Sequence, residues 1–134
     1  MQSPLRAAVV GATGYTGAEL VRILANHPSV EVTTATSERF DGKSISQPCP
    51  WLASELRLVR FDEARLDADV AFLCLPNGMA MKVAPSLSKR MKVVDLSADF
   101  RLRDASLYPT WYGFEHACPS FSPWPTFGLP EVVD

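Results

Sequence analysis

The apolar positions fall into two textures. Leu5 to Val10, broken only by Arg6, is a short apolar run, and Val30 to Thr36 is rich in β-branched residues; both read as strands. Val70 to Leu75 and Lys92 to Leu96 are further apolar runs, of the kind found in strands buried on both faces of a parallel sheet. Between the runs the spacing turns helical. Gly17, Leu20, Val21 and Leu24 fall at i, i+3, i+4 and i+7, and Ala80, Val83, Ala84 and Leu87 repeat that pattern. His27-Pro28 stops the first helix. Pro85 cannot donate to the Met81 carbonyl, which predicts a kink or break in the second. Lys89 and Arg90 suit its C-terminal end. Phe40 to Leu52, with Gly42, Pro48 and Pro50, predicts a loop. Leu56 to Phe61 alternates and predicts a short strand near a sheet edge; Asp62 to Leu66 predicts a helical turn.

Gly11-Ala12-Thr13-Gly14-Tyr15-Thr16-Gly17 joins the first strand to the first helix. Strand, glycine-rich turn and helix form the setting in which such glycines bind a pyrophosphate. The free N–H groups and the positive end of the helix dipole face the anion, and the absence of side chains lets the backbone approach it. The spacing departs from the commoner G-x-G-x-x-G, because Ala12 and Thr13 separate the first two glycines. Alternating strands and helices around this turn predict an α/β fold: a Rossmann-type doubly wound, mostly parallel sheet with helices on both faces. Gly42-Lys43-Ser44 is not a Walker loop, since Ser37 stands where its first glycine belongs and no strand leads in.

In such sheets ligands lie beyond the carboxyl ends of the strands. The second strand ends at Ser37-Glu38-Arg39, where an adenosine ribose is expected. A lone acidic residue there would favour NAD. A hydroxyl followed by a guanidinium suits the 2′-phosphate of NADP, provided that Glu38 points away. Leu75-Pro76 is a candidate cofactor wall. Ser97-Ala98-Asp99-Phe100-Arg101 reaches the same rim. Cys74, inside a buried run, reads as a core residue and not as a nucleophile.

The chain has 134 residues, 47 % hydrophobic and 21 % charged, with a net charge of −2. These values suit one folded domain and offer no basic cluster for nucleic acid. No run approaches a membrane span, and no signal peptide is expected before the first strand. Three cysteines without a C-x-x-C spacing argue for a reducing compartment, and His27 and His116 stand too far apart to suggest a metal site. Residues 100–134 hold 8 of the 13 aromatics and 5 of the 11 prolines, which predicts little regular helix and rings that need a packing partner. The expected organisation is a dinucleotide-binding domain over 1–102 and an aromatic, proline-rich segment over 103–134 leading toward a catalytic domain.

Four segments together resemble one enzyme family: Gly11 to Leu20, Leu96 to Arg101, Trp111-Tyr112-Gly113-Phe114-Glu115-His116, and Gly128-Leu129-Pro130-Glu131. In this order they resemble N-acetyl-gamma-glutamyl-phosphate reductase of arginine biosynthesis. The resemblance implies a cytoplasmic, homo-oligomeric enzyme that reduces a small acyl phosphate to an aldehyde with NADPH. In that family a cysteine thiolate expels phosphate and the thioester is then reduced. Carried over by motif, Gly11, Thr13, Gly14, Tyr15, Thr16 and Gly17 would hold the pyrophosphate. Ser37 and Arg39 would meet the 2′-phosphate, and Leu75, Pro76 and Ser97 would line the path to the nicotinamide. Arg101 and His116 are substrate-side candidates; internal pairing and helix capping, as by Asp99, is the other reading of this group. The family's Asn-Pro-Gly-Cys-Tyr segment is absent, so no catalytic residue is expected within the chain, and it is expected to be inactive alone. A related acyl-phosphate reductase of lysine biosynthesis and a non-catalytic NADP-binding module remain alternatives. The Trp111 to His116 segment argues against aspartate-semialdehyde dehydrogenase.

Overall fold

A computed structural model describes residues 2–132. The elements are β1 (Leu5–Val10), α1 (Tyr15–Ala25), β2 (Val30–Thr36), β3 (Leu58–Val59), β4 (Val70–Leu73), α2 (Ala80–Leu87), β5 (Lys92–Asp95) and α3 (Tyr108–Tyr112), with single 3₁₀ turns at Glu63–Arg65 and Ala105–Leu107. The strands form one five-stranded sheet in the order β3-β2-β1-β4-β5, and every pairing between them is parallel. The predicted doubly wound fold is therefore present.

β1 is the centre of the sheet, and its alternation explains how both faces are covered. Ala7 and Val9 belong to a core with Ala18, Val21 and Leu24 of α1. Ala8 and Val10 belong to the opposite core, with Ala80, Met81, Ala84 and Leu87 of α2. Successive strand side chains point to opposite faces, so an uninterrupted apolar run is what a two-sided core requires.

Several expectations need correction. β3 is only Leu58–Val59, although it does lie at the edge and pairs with β2. β4 ends at Leu73, so Cys74 and Leu75 already belong to the loop. The expected buried strand at Lys92 to Leu96 is the opposite sheet edge. Its side chains alternate between exposed and half-buried, because only β4 pairs with it. α2 runs through Pro85 to Leu87 instead of breaking there. The Met81 carbonyl, which Pro85 cannot serve, accepts instead from the Cys118 thiol at 3.3 Å.

The loop over Phe40 to Leu52 contains no helix or strand, yet Ile45, Cys49 and Leu52 from it are buried against the α1 side of the sheet. The aromatic segment wraps the other side. Phe114, Cys118, Phe121 and Trp124 pack on the α2 core around Phe100, whose ring centroid lies 5.4 Å from those of His116 and Trp124. Trp111 and Phe127 stay exposed. Residues 133–134 of the expected 103–134 segment lie outside the described residues.

Candidate dinucleotide site

The carboxyl ends of β1, β2 and β4 open onto one cleft of about 500 Å³. Of the expected cofactor residues, Gly11, Thr13, Gly14, Tyr15, Thr16, Ser37, Arg39, Leu75 and Pro76 line it, joined by Glu38, Cys74 and Leu96. Gly17 and Ser97 do not.

The three glycines have different physical reasons. Gly11 has φ +85°, and a Cβ there would stand 2.4 Å from the Cys74 carbonyl oxygen. Gly17 lies where α1 crosses the turn, and a Cβ would stand 2.1 Å from the Gly11 carbonyl oxygen. Both glycines permit close backbone approach. Gly14 differs: its φ is −75°, which any residue adopts, and its Cβ would meet nothing within 4 Å. Neither strain nor packing demands glycine there. A Cβ would instead occupy cleft space over the start of α1, where Gly14 supplies no side-chain cap. The first intrahelical bond nearby runs from Ala18 N–H to the Gly14 carbonyl at 2.9 Å. The N–H groups of Tyr15, Thr16 and Gly17 precede it and suit an anion. The donor set and the room above Gly14 fit a pyrophosphate.

The turn is pinned from β2. Thr36, 3 % exposed, accepts the Gly11 N–H on its hydroxyl at 3.0 Å, and its carbonyl accepts the Ala12 N–H at 2.9 Å. Thr13 Oγ1 and Ser37 Oγ are 3.2 Å apart, and Ser37 Oγ also accepts the Phe40 N–H at 3.2 Å. With Thr13 donating, Ser37 keeps its own proton for a ligand. The Arg39 guanidinium lies 5.2 Å over the Phe40 ring and makes no salt bridge among the described residues. Glu38 is turned toward the β3 edge: its carboxylate accepts the Phe61 N–H at 3.2 Å and lies 3.2 Å from Arg60 Nε.

The other wall is fixed by Asp99, which is fully buried. Its carboxylate accepts the Gly78 N–H at 2.8 Å and the Met81 N–H at 2.9 Å, capping α2 from outside the helix. Asn77 Oδ1 accepts the Ala98 N–H at 3.1 Å, and Tyr108 donates to the Ala98 carbonyl at 2.7 Å. Cys118 N–H donates to His116 Nδ1 at 3.1 Å, which leaves the proton on Nε2 to donate to the Asp99 carbonyl at 2.6 Å. His116 is thus buried with both nitrogens engaged by the backbone. Arg101 stands apart from the cleft, 5.4 Å over the Phe127 ring. Ser97 donates to Asp95 Oδ2 at 3.0 Å and accepts the Asp99 N–H at 3.2 Å, supporting Asp99 from behind the cleft. Burial pushes the Asp95 carboxyl up from its ordinary range, against the pull of the two Ser97 hydrogen bonds.

Sequence reading missed Thr36, Leu96 and the position of Cys74 in the cleft. Each lies at or just past a strand's carboxyl end, so the rule that ligands sit beyond these ends could have found them. Burial, and next the Asp95 carboxylate, push the Cys74 thiol up to about 11. Only the thiolate is alkylated, so at pH 8 Cys74 should react with iodoacetamide roughly a hundredfold more slowly than an ordinary thiol. Its rate should climb about tenfold per pH unit toward pH 10; a fast, pH-independent reaction in peptide mapping would contradict this.

Among the described residues no group of three or more His, Cys, Asp or Glu side chains converges as a metal site. No helix among them is long and apolar enough to cross a membrane.

Comparison with known proteins gives the family and the fold. Residues 6–133 match the family described as semialdehyde dehydrogenase, NAD binding domain. N-acetyl-gamma-glutamyl-phosphate reductase of Dehalococcoides mccartyi is 45 % identical over 95 % of this chain and 37 % of its own length. That of Nitrosospira multiformis is 43 % identical over 96 % of this chain and 39 % of its own. The chain therefore spans under two fifths of these relatives. Aspartate semialdehyde dehydrogenase of Candida albicans, solved with NADP, superposes with a TM-score of 0.56 at 24 % identity, over 77 % of this chain and 32 % of that one. Its likeness concerns the fold. On the match across nearly all of its length, the chain belongs to the family of semialdehyde dehydrogenase NAD-binding domains.

Proposed function

We propose that the chain is the cofactor-binding part of a reductase that converts N-acetyl-L-glutamyl 5-phosphate to N-acetyl-L-glutamate 5-semialdehyde and phosphate, with NADPH as reductant. The observation that carries the reading is the single cleft that unites the glycine turn, the Ser37–Arg39 tip and the Leu75-Pro76 wall. The 43–45 % identity to reductases of that name supports the choice of substrate.

In this reading the α1 N-terminus and Thr13 hold the pyrophosphate. Arg39 presents its planar donors to the 2′-phosphate while Glu38 is turned away, and Ser37 adds a hydroxyl. Bound there, the nicotinamide would supply the hydride for the carbonyl. Leu75, Pro76 and Leu96 would keep water from that end of the cleft. Arg101, outside the cleft and over the Phe127 ring, is the substrate-side group of the reading; His116, with both nitrogens occupied, serves the scaffold.

The nucleophile is not found among this chain's cysteines. Cys74 is held protonated, Cys49 is buried, and Cys118 donates to Met81. The 134 residues alone should therefore hold the dinucleotide without turning over the acyl phosphate. Three free cysteines support a reducing, cytoplasmic setting. Assembly as a homo-oligomer rests on the family resemblance.

The test is a titration of NADPH and NADH against the fluorescence of Trp51, Trp111 and Trp124. NADPH should bind more tightly. Arg39→Ala should weaken NADPH by about tenfold to a hundredfold, the worth of a charge-assisted bond of ~1.5–3 kcal/mol, and leave NADH nearly unchanged. Equal loss for both dinucleotides would remove the 2′-phosphate assignment.

A further inference from the structure

We infer that Arg60 is a positioning residue for dinucleotide choice: it holds the Glu38 carboxylate off the cleft and neutralises it. The inference rests on the dinucleotide reading above and goes beyond it, because Arg60 itself does not line the cleft.

Glu38 stands between Ser37 and Arg39, on the lining of the cleft. An acidic residue at this strand tip can accept both hydroxyls of an unphosphorylated ribose, which selects NAD. Against a 2′-phosphate the same carboxylate is a like charge, and it would also compete for Arg39. Here both of its oxygens are drawn elsewhere. Oε2 lies 3.2 Å from Arg60 Nε, and Oε1 accepts the Phe61 N–H at 3.2 Å. Arg60 is in turn fixed at its backbone, where its N–H donates to Asp41 Oδ1 at 3.0 Å. Two carboxylates thus stitch the chain leaving β3 to the loop leaving β2.

The consequence is a tip that carries the residues for either dinucleotide and offers one set. Arg39 lies over Phe40 with no carboxylate partner among the described residues, while Glu38 faces Arg60. The Phe61 N–H can orient the carboxylate but cannot cancel its charge. Arg60 can do both. Both members of the pair are 67 % exposed, so the pair adds little to folding, and its loss leaves a folded protein to assay.

The experiment titrates NADPH and NADH into the 134-residue protein at low salt, for the wild type, Arg60→Ala, Arg60→Lys, Glu38→Gln and the Arg60→Ala/Glu38→Gln double variant. A freed carboxylate about 5 Å from a doubly charged phosphate in a watery dielectric weakens binding by roughly tenfold. Arg60→Ala should therefore lower the NADPH-to-NADH affinity ratio about tenfold, and Arg60→Lys should restore most of it, since its charge can still reach Glu38. In the Glu38→Gln background, Arg60→Ala should leave the ratio unchanged. A wild-type ratio in Arg60→Ala overturns the inference while leaving the cofactor reading intact. An equal fall in both backgrounds also overturns it, because Arg60 would then act on the phosphate directly. A wild type without NADPH preference removes the cofactor reading and the inference with it.

Discussion

Gly17→Ala should destabilise the protein by about 3 kcal/mol or more, a large part of the ~5–15 kcal/mol that holds a domain folded. Added Cβ atoms usually do little harm in a helix, and alanine has the better propensity by ~1 kcal/mol. Here the new atom would stand 2.1 Å from the Gly11 carbonyl oxygen, 2.8 Å from Ala12 Cα and 2.9 Å from the Gly11 carbonyl carbon. All three are backbone, so no rotamer change relieves the clash. α1 must lift off the turn, opening its contact with β1. A melting point lowered by about 10 °C or more is expected for a chain of this length. Gly14→Ala is the informative comparison. That Cβ meets nothing within 4 Å and the backbone is not strained, so the variant should be as stable as the wild type. It should nevertheless lose NADPH affinity, because the methyl group enters the anion's space. Equal melting points for Gly17→Ala and the wild type would refute the packing argument. Unchanged NADPH binding in Gly14→Ala would refute the pyrophosphate assignment.

Asp99→Ala should destabilise the protein by roughly 3 kcal/mol, since two hydrogen bonds to a carboxylate at ~1.5–3 kcal/mol each are lost and the released burial of charge offsets part of that. The N–H groups of Gly78 and Met81 would lose their partner, and Met81 lies in the first turn of α2. The damage should also reach the ring of contacts behind Asp99. Asp99 receives the Met81 N–H, the Met81 carbonyl receives the Cys118 thiol, the Cys118 N–H reaches His116, and His116 returns to the Asp99 carbonyl. Urea unfolding gives the stability change, and amide exchange locates it. The Gly78 and Met81 amides should exchange faster, while those of β1 fall only by the global loss. Protection at Gly78 and Met81 equal to the wild type would show that the cap is not held by this carboxylate.

The glycine turn was legible because it is local. Seven consecutive residues carry the tight turn, the close approach and the open helix start. The tip proposed to meet the 2′-phosphate was half legible. Ser37 and Arg39 could be named, but the bearing of Glu38 depends on Arg60 and Phe61, which lie just past β3, far along the chain. Asp99 was visible as a possible cap, but its helix was not: it caps α2, which precedes it in sequence, and not a helix that it begins. Pro85 was read by its missing donor alone. The thiol that takes over its duty comes from Cys118, and no periodicity announces that contact.

The sequence by itself determined the order and kind of the elements from β1 to β5 and the glycine turn. These follow from side-chain period and backbone conformation, which act over a few residues. The tertiary structure alone decided that β5 is an edge, that the loop at Ile45, Cys49 and Leu52 joins the core, and that the Glu38 carboxylate is engaged by Arg60 and the Phe61 N–H. Each of these depends on which distant group supplies the hydrogen bond, the charge or the apolar cover, and apolar runs look alike whether one neighbour covers them or two.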